Sequence, residues 1–367
     1  MRQLLRSAAV GVTTVALAVA LAACGEAGGG DDDETDAGPN EGGGTIGLLL
    51  PEDATTRYEA FDRPYITAQI EELCADCEVQ YSNAREDTNT QGQQFEAMLT
   101  SGVDVIILDP VDATATASWV EQAAAEGVPV VAYDRLAEGP IDAYVSYDNQ
   151  RVGELQGEAL LSALGDSADG ARVVMINGSP TDPNAAQFKA GAHSVLHDAA
   201  EVVFEQDIPG WDAAVANEEM NTAIESVGED GFDAVYVAND SMAAGVLTAL
   251  DSAGITDVPV GGQDAELAGL QRIVAGQQTY TIYKALREEA EAAAEMAIRL
   301  LRGDALNDLA PDSVDSATNE GIPSLLLEPV AVTVDNIADT VIADEHYAVE
   351  DICTAEYAEA CAAAGLT

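Results

Sequence analysis

VDVIILDPVDATATASWVEQAAAEGVPVVAYDR, residues 103–135, holds one complete structural unit. Val103 to Leu108 is apolar apart from Asp104, the pattern of a strand buried on both faces. A helix is expected through Trp119 to Ala125, followed by a second apolar run, Val128 to Tyr133. Apolar strands separated by an amphipathic helix pair in parallel, because a helical crossover covers the sheet.

The same alternation extends to both sides. Upstream lie an apolar run Thr45–Leu50, helical spacing from Pro64 to Leu73, a short strand at Val79–Tyr81 and a helix from Asn89 to Thr100. The last places Phe95, Met98 and Leu99 on one face. The pattern restarts after Tyr147. Helices are expected at 152–164, 185–196, 213–227 and 243–253, with strands at 172–177, 202–204, 234–237 and 258–261. Thr279–Tyr283, a long helix 286–301 and a strand-like stretch 324–334 complete the chain. The reading is α/β: a six-stranded plan used twice, giving two similar lobes, each a mostly parallel sheet flanked by helices. A small-ligand cleft is expected between them at the carboxyl ends of the strands. A length of 367 residues agrees with two lobes, and 47% hydrophobic residues suffice for their cores.

The formal charge is −52, from 66 acidic and 14 basic residues, which excludes a nucleic-acid partner because phosphate binding needs a basic surface. Glu288, Glu289, Glu291 and Glu295 read as part of a solvated helix face. Residues 1–24 read as a secretory signal: Arg2 and Arg6, an uncharged run from Ser7 to Ala23, then Leu21-Ala22-Ala23 before Cys24. The apolar run falls short of the ~20 residues of a membrane span. A lipoprotein is expected, with Cys24 acylated and the molecule anchored on the outer face of the cytoplasmic membrane. Gly25 to Gly44, rich in Gly, Asp and Glu, reads as a flexible tether. The remaining cysteines fall in two local pairs, and outside the cytosol the disulfides Cys74–Cys77 and Cys353–Cys361 are the simplest assignment. Only His193, His197 and His346 are present and no Cys/His cluster completes a metal site, so neither metal nor cofactor is expected.

Polar groups recur just beyond the expected strands: Arg57 and Tyr58, Asp134 and Arg135, Asp148-Asn149, Asp182 and Asn184, Trp211, Asn239-Asp240, Gln263-Asp264, and Lys284. Asp accepts hydroxyl protons, Asn both donates and accepts, and Arg and Lys donate to hydroxyl or ring oxygens. Trp211 or Tyr58 suits the CH-rich face of a pyranose. Taken singly, an Asp–Asn pair at a strand end is more often a turn or cap, Asp134–Arg135 a surface ion pair, and a lone Trp a core residue. Repetition at nearly every strand end points instead to a sugar site.

These stretches, in order, resemble the periplasmic D-xylose-binding proteins, within the ribose/galactose type of sugar-binding proteins served by ATP-driven transporters. The resemblance rests on Val130–Arg135, Ser146–Asn149 with Val152–Gln156, Gly178–Ala185, Gly210-Trp211, Ala238–Asp240, Gly262–Gly269, Tyr283-Lys284 and Val332–Ile342. It implies the type I periplasmic binding protein fold, with three crossings joining an N-lobe (45–147 plus 285–322) to a C-lobe (148–284 plus 323–367). It also implies a monosaccharide, D-xylose foremost, held by residues matching Arg57, Asp134, Arg135, Asp182, Asn184, Trp211, Asn239, Asp264 and Lys284, and handed by a monomer to an ABC transporter permease. The chain departs from the family pattern at Pro51-Glu52-Asp53, where paired Asp is common, at Tyr58 in place of Trp, and at Pro183 in place of Asn. The cysteine pairs and the tail after Ala343 are additions. Ribose, arabinose or glucose as ligand, or a sensing role toward a membrane receptor, remain alternatives. A glycoside hydrolase could use two of these carboxylates as acid and base, but they are better explained as hydroxyl acceptors and no nucleophile, metal or phosphate-loop motif appears. A repressor would need a basic helix-turn-helix, which the sequence lacks.

Overall fold

Strand β1 (Thr45–Leu50) sends Ile46, Leu48 and Leu50 to one side and Leu49 to the other, and both sides are covered. The computed structural model describes residues 43–53 and 55–366. The expected signal segment, Cys24 and all of the tether before Gly43 lie outside the described residues.

The chain continues through α1 (Arg63–Leu73), β2 (Glu78–Asn83), α2 (Thr88–Ser101), β3 (Val105–Leu108), α3 (Ala117–Glu126), β4 (Val130–Tyr133) and β5 (Ala143–Tyr147). It then forms α4 (Asn149–Leu164), β6 (Ala171–Asn177), α5 (Pro183–Leu196), β7 (Ala200–Asp207), α6 (Ala213–Val227), β8 (Ala234–Val237), α7 (Asp240–Ala253), α8 (Leu267–Val274) and β9 (Thr281–Tyr283). The remainder is α9 (Leu286–Arg302), β10 (Asp312–Val314), β11 (Ile322–Leu327), β12 (Val330–Val332), α10 (Val349–Ile352) and α11 (Ala358–Ala363).

A seven-stranded sheet has the order β10-β11-β5-β4-β3-β1-β2, parallel except at β10–β11. Its central strands are buried on both faces, which explains their unbroken apolar runs. One face packs on α1 and the Ala-rich α9, the other on α2 and α3. The second lobe centres on the parallel sheet β7-β6-β8, extended by a bridge from Val235 to Val260, with β9 and β12 as a separate antiparallel pair.

The two sheets therefore differ, where the sequence suggested one six-stranded plan used twice. Pro259 lacks an N–H, and its neighbourhood pairs only through the Val260 bridge. The strand expected over 324–334 is two strands, broken at Glu328-Pro329. β11 pairs with β5 from Ser324–Tyr144 to Leu327–Tyr147 and so belongs to the first sheet. The expected boundary at 322/323 falls inside that strand, and the chain leaves the first sheet after Leu327 and joins β9 from Val330. Helix α8 was not foreseen. Gly269 interrupts its apolar pattern, and a Cβ there would lie 2.3 Å from Asp240 Oδ2. Cys74 joins Cys77, and Cys353 joins Cys361.

Helices α4 and α5 touch backbone to backbone in the second lobe. A Cβ at Gly153 would lie 2.0 Å from the Phe188 carbonyl oxygen. Gly153→Ala is therefore expected to destabilise the protein by roughly 1–3 kcal/mol through overpacking, read as a lower urea midpoint with an unchanged m-value.

Candidate functional site

Each loop leaving the carboxyl end of a central strand carries a polar side chain inward. After β1 the chain makes a π-helical turn, Tyr58–Asp62, that runs directly into α1. Its wider winding turns Arg57, Tyr58 and Asp62 toward the protein interior, where all are buried. After β4, Asp134 adopts φ 55°, a left-handed conformation that a non-glycine residue holds only when its surroundings demand it. The surroundings do so: Asp134 N–H donates to Val145, while its carbonyl accepts from Tyr144 Oη, Ser146 Oγ and Asn184 Nδ2 at 3.0, 2.7 and 3.0 Å. Trp211 (φ 55°) and Asp264 (φ 87°) are held the same way.

In the second lobe, helix starts supply the groups. Asp182 caps α5 and accepts from Asn184 N–H, with Pro183 suited to the first turn. Asn239 caps α7 by accepting from Met242 N–H, which leaves its amide NH₂ as the donor end. Gly178 admits the Trp211 indole, which a Cβ there would meet at 2.1 Å. Asp264 and Lys284 follow the Val260 bridge and β9.

Arg57, Tyr58, Asp134, Arg135, Asp182, Asn184, Trp211, Asn239, Asp264 and Lys284 all line one chamber. Thr55, Phe188 and Gln263 line it too. Phe188 is a residue sequence reading missed; it lies one helical turn after Asn184 on α5, the signal that would have found it.

Three ion-pair groups organise the walls. Arg57 donates Nε and Nη2 to both Asp62 oxygens (3.1 and 2.7 Å), Nη2 to Glu289 (3.0 Å) and Nη1 to Asp134 (3.2 Å). Arg135 pairs with Asp182 at 2.9 Å, with Asp109 and Glu86 farther away at 3.6 and 3.8 Å. Trp211 Nε1 donates to Asp182 at 3.2 Å. Lys284 meets Asp264 at 3.0 Å. The Tyr58 hydroxyl donates to Asp134 at 3.3 Å and accepts from Arg135 at 3.4 Å; Trp at this position would lack the acceptor.

Glu289 corrects the expectation of a solvated helix face. It is fully buried, facing Arg57 from α9, while Glu288 is exposed and Glu291 and Glu295 are half-buried. Burial, then the adjacent Asp134 charge, pushes its carboxyl well above the usual range, toward the neutral acid. Burial does the same to Asp109. Asp134 shifts the other way: burial opposes its charge, but Arg57, Lys284 and Arg135 together hold it below the ordinary carboxylate range. Asp182 is raised by burial against the pull of Arg135. The chamber thus presents a charged acceptor, fixed cationic donors and aromatic walls. Asn184 Oδ1 and Gln263 Oε1 are buried there without a hydrogen-bond donor, which suits ligand hydroxyls.

A family model described as a periplasmic binding protein domain matches residues 46–305. Over 309 residues the chain is 37% identical to the D-xylose-binding periplasmic protein of Escherichia coli (strain K12), covering 82% of this chain and 89% of that protein. The Haemophilus influenzae protein of the same description is 33% identical over 317 residues, covering 84% and 91%. The chain belongs to the periplasmic sugar-binding proteins. A crystal structure of an ABC transporter solute-binding protein from Clostridium phytofermentans with bound β-D-glucose has a TM-score of 0.76 at 26% identity, covering 84% of this chain and 99% of that one. Members of this family are solute-binding proteins, and their periplasmic setting places the chain outside the cytoplasmic membrane. Among the described residues no helix is long and apolar enough to cross a membrane.

The opposite shifts of two neighbouring carboxyls make their amide variants unequal. At pH 7, Asp134→Asn removes a buried charge facing Arg57 and is expected to weaken sugar binding by about 2 kcal/mol or more, roughly 30-fold. Glu289→Gln replaces a group that burial and the Asp134 charge push toward its neutral form, and is expected to stay within about threefold. Titration calorimetry of both variants checks the order.

The Asp264 loop rests on a second buried acid. Asp240 accepts from Gln278 Nε2, Glu266 N–H and Thr281 Oγ1 at 2.6, 2.9 and 3.0 Å. Burial and then the neighbouring Glu266 push it up to about 8; burial, assisted by Asp264, pushes Glu266 up to about 7. Both bind protons more tightly folded than unfolded, where carboxyls titrate near ~4. Their stabilising contribution is complete below ~pH 4 and is lost as pH rises through 7 and 8. Urea midpoints are expected to fall between pH 5.5 and 8.5, with a shallower fall in Asp240→Asn.

Proposed function

We propose that this chain is a lipid-anchored solute-binding protein that captures a monosaccharide, D-xylose foremost, by lobe closure and delivers it to an ABC transporter permease. Acylated Cys24 anchors it, residues 25–44 give it reach, and it works as a monomer without catalysis.

One observation carries the reading. Donors and acceptors from both lobes surround a single small chamber whose remaining walls are aromatic. A pyranose needs its rim hydroxyls paired and its CH faces covered, and a wrong stereoisomer would leave the amide groups of Asn184, Asn239 or Gln263 unpaired. The names of the two D-xylose-binding relatives support xylose. The β-D-glucose in the Clostridium phytofermentans protein supports a hexose as the second reading. Hydrolysis is disfavoured because Arg57 stabilises the charged form of Asp134, which suits hydroxyl acceptance better than proton donation, and Asp264 is occupied by its ion pair with Lys284.

Thermal shift of the purified protein against xylose, ribose, arabinose, glucose and galactose tests this. Xylose is expected to raise Tm most, in proportion to the logarithm of its concentration. A flat response to all five refutes the assignment, and release of reducing sugar from xylans or simple glycosides would replace it with an enzyme.

A further inference from the structure

The C-terminal tail does more than cover the second lobe. Its segment Asp344–Tyr347 touches three stretches that carry chamber residues. The His346 ring stacks on Phe61 with centroids 4.4 Å apart and planes at 29°, and Tyr347 meets the same ring edge-on at 5.5 Å. Phe61 lies in the π-helical turn, between Tyr58 and Asp62. The Tyr283 ring lies 5.4 Å from His346, and its hydroxyl is near enough to Asp344 for that carboxylate to help hold the phenol proton. Tyr283 directly precedes Lys284. Tyr347 packs on the same apolar cluster as Leu267, just past the left-handed Asp264-Ala265 pair.

The tail is itself held in place. Ile352, Cys361 and Leu366 pack with Leu270, Ile273 and Val274 of α8. Gln271 Nε2 donates to the carbonyls of Asp351 and Ile352 at 3.1 and 3.5 Å. The Cys353–Cys361 disulfide closes the loop between α10 and α11. A tail fastened to the second lobe thus grips an aromatic ring of the first. His346 is 92% removed from solvent at 8% exposure, so the ring contact is a packed one.

We propose that His346 and Tyr347 are positioning residues for the sugar site. Keyed against Phe61, they limit how far the lobes part and set the distance between the Arg57–Asp134 and Asp264–Lys284 sides of the chamber, without touching the ligand. This rests on sugar binding by the chamber, though not on which sugar.

Phe61→Ala, His346→Ala and the double variant test it, with His346→Phe as the ring-preserving control. An aromatic contact of this kind carries about 0.5–1.5 kcal/mol. Sugar dissociation by stopped flow, using whichever of the five sugars shifts wild-type Tm most, is therefore expected to quicken about 2- to 12-fold in each single variant. The double variant should add little, and His346→Phe should restore the slow rate. Small-angle scattering of the sugar-free protein gives an arm independent of ligand identity: the alanine variants should have a larger radius of gyration than wild type. Wild-type scattering curves and dissociation rates in Phe61→Ala and His346→Ala, even with a lower Tm, overturn the proposal and leave the tail a purely stabilising cover. If no sugar binds wild type, the functional assignment fails and the scattering comparison alone decides this one.

Discussion

The buried guanidinium of Arg57 is the constraint on which the rest of the site is built. Removing an ion from water costs several kcal/mol, so the group persists only where partners satisfy its fork. Asp62 takes two of its edges, Glu289 and Asp134 the others. That arrangement explains the π-helical turn, since Arg57 and Asp62 come from its two ends. It also ties three elements together, because Asp62 is hydrogen-bonded to the Tyr133 hydroxyl at the end of β4 and Glu289 arrives on α9. Arg57 and Asp62 are buried with the Glu289 side chain at full depth, so every member relies on the others for solvation.

From this fixed point the strain at Asp134 becomes intelligible. Its side chain faces Arg57, while its carbonyl faces the other way and collects donors from β5 and from Asn184 of the second lobe. A right-handed backbone would not satisfy both ends, and φ 55° does. The same residue thereby links the charge network of one lobe to an amide of the other. The contact between the two sheets at this point is in this way a matter of specific hydrogen bonds rather than of apolar contact alone.

The alternating strands and helices of the fold were legible because burial on both faces leaves a continuous apolar signature; α6 runs over the residues its pattern suggested. The unequal sheets were not, because strand membership depends on pairing across long separations. Ser324 looks the same whether it neighbours Tyr144 or continues toward Val332. The chamber side chains were legible for a related reason: each sits at a strand end or helix start, where position along the chain reveals position in space. Glu289 was hidden because its partner is 232 residues away and its helix otherwise displays an acidic outer face. Asp109 was hidden likewise, as nothing local separates it from a turn residue. The tail was least legible, its aromatic contacts being with Phe61, far earlier in the chain.

Charge pairing also constrains what the chamber accepts. Arg57, Arg135 and Lys284 each already face a carboxylate, at 2.7, 2.9 and 3.0 Å respectively. An anionic ligand would have to displace one of these acids, leaving it buried and unpaired at a cost of a few kcal/mol. A neutral polyhydroxylated ring has no such requirement, since each hydroxyl adds a bond to a paired group without separating the pair. The donors are held before any ligand arrives, so little side-chain freedom remains to be lost on binding. Discrimination then falls to the unpartnered amide oxygens of Asn184 and Gln263 and to the aromatic walls, which reward particular hydroxyl positions.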